Sequence, residues 1–195
     1  MLGLVDNKKV VIVGIPGVGK TSLVTKLVEL ITQQNKTVGV HSFGTVMLEE
    51  AMKNGIKDRD ELRTLPIEKQ QELQKMAAEK ISNMEDDVVL IDTHAFISTK
   101  SGFYPGLPNY VIQIMQPTNF IAITASPDEI HDRRMKDTTR NRDPVSIEDI
   151  KKELAVQDAM LSSCSVLSGS PMKVVFNHEG KVDEVAVAVL GAIGL

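Results

Sequence analysis

A chain of 195 residues, 42% of them hydrophobic and 25% charged, has the make-up of one globular domain rather than of a disordered or fibrous protein. That length lets it bury about 70% of its unfolded surface. A net charge of −4 and a pI near 5.6 argue against bulk binding to nucleic acid or anionic membrane, so any basic site is local. The single cysteine, Cys164, allows neither an internal disulfide nor a multi-cysteine zinc site, which points to a reducing compartment. The first residues lack the basic-then-apolar order of a signal peptide, and the longest apolar stretch, residues 185–195, is short of the ~20 residues of a membrane span. A cytoplasmic location follows as the expectation.

In chain order, residues 9–13 form an apolar, β-branched run that reads as a buried parallel strand. Directly after it comes Gly14-Ile15-Pro16-Gly17-Val18-Gly19-Lys20-Thr21, a complete G-x-x-x-x-G-K-[ST] phosphate loop. Leu23, Leu27, Leu30 and Ile31 then recur at helical spacing, so the motif lies between a strand and a helix, where its chemistry needs it. Backbone N–H groups close around phosphate oxygens at a helix N-terminus, a geometry that Cβ atoms obstruct and glycines permit. Lys20 is the catalytic cation for the β- and γ-phosphates, Thr21 the Mg²⁺ ligand, and Ser22 opens the helix beside it. A nucleoside triphosphate is the implied ligand.

Further strands are predicted at residues 36–42, 88–92, 120–124 and 172–176, separated by helical stretches, with a terminal helix over residues 185–195. Five strands joined by crossover helices make an α/β fold, a doubly wound parallel sheet with helices on both faces. Two segments exceed what simple crossovers require: a helical stretch over residues 44–84 and a polar, arginine-bearing one over residues 133–143. Both emerge at the carboxyl ends of the strands, where such sheets bind ligands.

The third strand ends in Asp92-Thr93-His94. A carboxylate at that edge is placed to hold Mg²⁺, although an ordinary turn-capping aspartate has the same appearance. His94 fits either a phosphate contact or a structural role. In residues 133–143, Arg133, Arg134, Arg140 and Arg142 concentrate positive charge in an acidic protein. Planar guanidinium donors suit the spread charge of a transferring phosphoryl group, while a solvated helix end paired with Asp132, Asp137 and Asp143 is the bland alternative. Asp58-Arg59-Asp60-Glu61-Leu62-Arg63 supplies two more arginines, one of which could take a second substrate's phosphate.

Taken together, the phosphate loop, Phe43-Gly44-Thr45-Val46-Met47, the Asp58 to Arg63 run, Asp92-Thr93-His94, Gly102-Phe103-Tyr104-Pro105-Gly106-Leu107-Pro108 and Thr138-Thr139-Arg140-Asn141-Arg142-Asp143 fall in the order and spacing of one family. Over essentially its full length the chain resembles the archaeal-type adenylate kinases, which are short-lid, phosphate-loop nucleoside monophosphate kinases. The resemblance implies one kinase domain over residues 1–195, with an AMP-binding insertion near residues 44–84 and a short lid near residues 133–146. It implies reversible, Mg²⁺-dependent transfer of the γ-phosphoryl group of ATP to AMP, giving two ADP. By position, Thr45 and Arg63 resemble AMP-side contacts, Arg134, Arg140 and Arg142 the lid arginines, and residues 102–108 a wall of the AMP pocket. As bare sequence, residues 102–108 are a Gly/Pro-rich turn region.

One departure stands out: the helix returning after the lid often carries a further arginine in related kinases, and residues 153–158 carry none. The resemblance also implies a homotrimer. Other readings stay open on the same scaffold: a kinase for another nucleoside monophosphate or for a metabolite such as shikimate, an ATP-dependent RNA-associated factor, and a nucleotide-dependent switch. Against the switch, Asp92-Thr93-His94-Ala95 lacks the D-x-x-G of a GTPase and no N-K-x-D occurs.

Overall fold

Val10, Val11, Ile12 and Val13 are all fully buried, as a strand covered on both faces requires. The computed structural model describes residues 7–99, 102–137 and 145–195, apart from the side chain of residue 63. Five strands, β1 (Lys8–Val13), β2 (Val38–Ser42), β3 (Val88–Thr93), β6 (Asn119–Thr124) and β7 (Met172–Phe176), form a sheet in the order β2-β3-β1-β6-β7. Every neighbouring pair is parallel.

Alternation along the central strands separates two cores. Val10 and Ile12, Val88 and Leu90, Ile121 and Ile123 face one side, where they meet α1 (Lys20–Gln33) and α8 (Val182–Ile193). Val11 and Val13, Val89 and Ile91, Phe120 and Ala122 face the other, against α2 (Phe43–Lys53), α4 (Ile67–Ser82), α5 (Asn109–Met115) and part of α7 (Ile147–Ser168). In α1, Leu23, Leu27 and Ile31 lie four apart on one stripe and are fully buried. Each large side chain so removed from water contributes about 1.5–3 kcal/mol.

The predicted insertion is three helices rather than one stretch. Gly55, at φ 87, ends α2, and the Asp58 side chain caps α3 (Arg59–Thr64) by accepting from the N–H groups of Asp60 and Glu61. Pro66 then starts α4. Residues 102–108 are also more ordered than a turn: β4 (Phe96–Thr99) and β5 (Gly102–Pro105) pair as an antiparallel hairpin, steadied by an edge-on contact of Phe96 with Phe103. Its strands are short and mostly exposed, so they leave no alternation long enough to read from sequence. The remaining helix, α6 (Pro127–Lys136), follows β6. Among the described residues no helix is long and apolar enough to cross a membrane.

Candidate active site

The phosphate loop joins β1 to α1. α6 and α7 each begin with a capping box, Ser126 with Glu129 and Ser146 with Asp149, which satisfies their first N–H groups. By contrast α1 begins at Gly19, with φ 84 and no side-chain cap, so its N-terminal donors stay available for an anion. A Cβ on Gly14 would lie 2.6 Å from Cγ2 of Val18, and one on Gly17, itself at φ +93, would lie 3.1 Å from the Ile130 carbonyl oxygen. On its outer side the loop is held by its carbonyls. Arg134 Nε donates to Pro16 O at 2.8 Å, Arg133 Nη1 to Gly17 O at 3.4 Å, and Asn177 Nδ2 to Val18 O at 2.7 Å.

Strand pairing sets the charged centre. β1 and β3 run side by side with Ile12 opposite Asp92 and Val13 opposite Thr93, so the loop and the acidic strand end emerge together. Lys20 Nζ lies 2.7 Å from Asp92 Oδ1 and donates to Thr93 O at 2.8 Å. Although that ion pair is close, Asp92 Oδ1 receives no well-directed hydrogen bond. Thr21 and Asp92 line one open groove with Val24, Thr25, Val28 and Val40. A buried carboxylate oxygen lacking a directed donor, near a hydroxyl, suits Mg²⁺, a hard cation with oxygen ligands. Among the described residues no cluster of three His, Cys, Asp or Glu could hold a metal; such a cation would depend mainly on phosphate and water, as Mg²⁺ commonly does.

On the other side of the strand edge, α2 begins immediately after β2. Thr45, in its first turn, accepts a hydrogen bond from Arg59 Nη2 at 2.9 Å. Arg63 lies on α3, but its side chain is outside the described residues. Of the two arginines in the Asp58 to Arg63 run, Arg59 is the one that the family resemblance did not single out, because its position at a helix start among acids matches a solvated charge. Behind this pair, buried Glu50 meets Lys53 at 2.7 Å and Lys80 at 3.5 Å, tying α2 to α4. The Lys53 hydrogen bond, working against burial, holds the Glu50 carboxyl below its ordinary range. Tyr110 of α5 donates to Gln74 of α4, and Gly106 presses on the His94 carbonyl at the end of β3. The His94 side chain is exposed.

Residues 13–151 match the family described as AAA domain, a span that contains the whole phosphate loop and Asp92. The adenylate kinase of Methanocaldococcus jannaschii is 39% identical over 180 residues, covering 91% of this chain and 94% of its own length. That of Sulfurisphaera tokodaii is 42% identical over 178 residues, covering 87% and 91%. That of Thermoplasma acidophilum is 37% identical over 186 residues, covering 95% and 98%. The chain belongs to the adenylate kinase family. Its fold is also that of the shikimate kinase from Acinetobacter baumannii in complex with shikimate, at a TM-score of 0.59 over 96% of this chain and 94% of that one, with 12% identity.

Among the arginines that family likeness singles out, Arg134 is the described one. Besides Pro16 it contacts Glu153, Nη2 to Oε2 at 2.7 Å, with only 9% of its own side chain exposed. An acid on the returning helix thus meets the first of the three arginines singled out. Arg140 and Arg142 lie outside the described residues. Neighbouring Arg133 donates to the Asn177 carbonyl at 3.0 Å and lies 3.8 Å from Glu129. Burial opposes ionisation of Glu129, but hydrogen bonds from Ser126, the Glu179 N–H and His178 outweigh it and bring the carboxyl down to about 2. Cys164 takes no part: it is buried beneath Leu107 O, and burial pushes its thiol up, away from a reactive thiolate.

Proposed function

We propose that the chain transfers the γ-phosphoryl group of MgATP reversibly to AMP, giving two ADP. The observation that carries the reading is the meeting of an uncapped α1 with the Lys20–Asp92 pair at the ends of adjacent strands. Here the segment of residues 14–22 cradles the triphosphate: Gly14, Ile15, Gly17, Gly19, Lys20, Thr21 and Ser22 offer N–H groups, while Pro16, which has none, and Val18, whose N–H returns to the Ile15 carbonyl, shape the turn. Thr21 and Asp92 hold Mg²⁺, which when bound neutralises charge on the phosphate chain. Lys20 tracks the moving phosphoryl group. Thr45 and Arg63, joined by Arg59, bind AMP within the insertion of residues 44–84. Arg134, Arg140 and Arg142 close over the phosphates from the lid of residues 133–146; for Arg134 that closure exchanges Glu153 for phosphate oxygens.

The chemistry rests on positioning and electrostatics, because the attacking AMP phosphate is already an anion and needs no strong base. Insertion and lid must close together, since a wet site would hydrolyse ATP. The test is an acceptor panel of AMP, CMP, UMP, GMP, dTMP and shikimate with MgATP, read by product chromatography. AMP should have the highest kcat/KM; a better acceptor, or slow hydrolysis alone, overturns the reading. The likeness to adenylate kinases also supports a cytoplasmic homotrimer, and light scattering that returns a mass near 21.4 kDa would reject the trimer.

A further inference from the structure

Three successive carbonyls of the phosphate loop, those of Pro16, Gly17 and Val18, accept hydrogen bonds from side chains outside it. A peptide unit whose C=O is held outward has its N–H turned the opposite way. Holding the Pro16 and Val18 carbonyls from behind therefore aims the N–H groups of Gly17 and Gly19 at the space in front of the loop, while the N–H between them, that of Val18, turns back to the Ile15 carbonyl at 3.4 Å.

The tightest of the three holds is Asn177. It lies 159 residues further along the chain than Val18, one position past β7, and is buried at 6% exposure. Its place is fixed independently of the loop: its N–H donates to Thr124 O at 2.8 Å, continuing the β6–β7 pairing by one residue. Its carbonyl accepts from Arg133, whose other terminal nitrogen reaches Gly17 O. A Cβ on Gly19 would fall 2.3 Å from Asn177 Nδ2, so the amide packs directly beneath the turn into α1. The side chain thus connects the rigid edge of the sheet to the one part of the loop where α1 opens.

We infer that Asn177 is a positioning residue for the triphosphate: its amide fixes the Val18 carbonyl so that the following N–H groups are pre-aimed at phosphate. This rests on the reading of the loop as the ATP cradle, and wild-type binding of MgATP is the control for that reading. Asn177→Ala removes the amide, and Asn177→Leu removes the donor while keeping its shape. Binding of MgATP, of Mg-tripolyphosphate and of AMP would be measured by calorimetry on each, together with thermal unfolding. A buried carbonyl left without its donor should weaken MgATP and Mg-tripolyphosphate by the same factor, about tenfold or more. AMP affinity should stay within about twofold, and the midpoint of unfolding within about 5 °C.

Wild-type failure to bind MgATP would remove the cradle itself. If wild type binds and a folded variant binds MgATP equally well, the positioning role is wrong. It is also wrong if AMP affinity falls in parallel, which is general loosening, or if ATP weakens and tripolyphosphate does not, which is a contact to the base. Failure of both variants to fold overturns it too, because the side chain would then hold the domain rather than the loop.

Discussion

Adding one methyl group at Gly106 tests how residues 102–108 seat on the end of β3. Its Cβ would stand 2.0 Å from the His94 carbonyl oxygen and 3.0 Å from the His94 carbonyl carbon, both backbone atoms. Carbon and oxygen approach no closer than about 3.3 Å in favourable contacts, so the two segments must part by more than an ångström. That movement breaks the 2.8 Å hydrogen bond from the Gly106 N–H to Ala95 O between two buried residues. Loss of a buried backbone bond costs about 1–3 kcal/mol and overpacking about 1–3 kcal/mol, so Gly106→Ala should destabilise by about 2–6 kcal/mol. Two glycines with no neighbour within 4 Å serve as controls. Gly55→Ala, strained only by φ +87, should cost about 1–2 kcal/mol, and Gly191→Ala within α8 should stabilise by about 0.5–1 kcal/mol. Urea unfolding followed by circular dichroism measures all three. Gly106→Ala within about 0.5 kcal/mol of wild type would refute the reasoning.

Lys20→Met and Asp92→Ala should each lower kcat by at least about a hundredfold, and a folded variant with near-wild-type turnover takes that residue out of the site. Arg59→Ala should raise the KM for AMP about tenfold while leaving the KM for ATP alone; equal rises in both would reduce Arg59 to a structural charge. Glu129 has its carboxyl depressed to about 2, so its contribution to stability is complete above about pH 4.5 and drains away as pH falls toward 2. The stability gap between wild type and Glu129→Gln in urea unfolding should therefore narrow on going from neutral pH to below 4.5, and a gap independent of pH would contradict that linkage.

The three central strands were legible because parallel strands buried on both faces must be continuous apolar runs; the edge strands β2 and β7, only partly buried, were legible from short β-branched runs, and all five were placed to within two residues of their observed ends. The phosphate loop and the place of Asp92 at a strand end were legible for a different reason: the loop is a local motif and the aspartate closes an apolar run, and strand adjacency then brings the two together. What escaped depends on distance along the chain. Arg59 gains meaning only through Thr45, 14 residues away, and Asn177 only through Val18, 159 residues away. Neither amide nor guanidinium announces such a partner. The same holds for Glu153, an ordinary helix acid until Arg134 lies beside it.

The Lys20–Asp92 contact carries a thermodynamic consequence. At 2.7 Å each group cancels the other's charge. A triphosphate that draws Lys20 onto itself strips Asp92 of its counter-ion and leaves a carboxylate facing another anion. A divalent cation that claims Asp92 alone leaves Lys20 beside a like charge. Arriving together, metal and nucleotide exchange one ion pair for two, and neither charge is stranded. Each should therefore raise the other's affinity by the same factor, as reciprocity between two ligands demands. On the proposed reading of the site, the pair would act as a coincidence gate that favours the metal–nucleotide complex over either component alone.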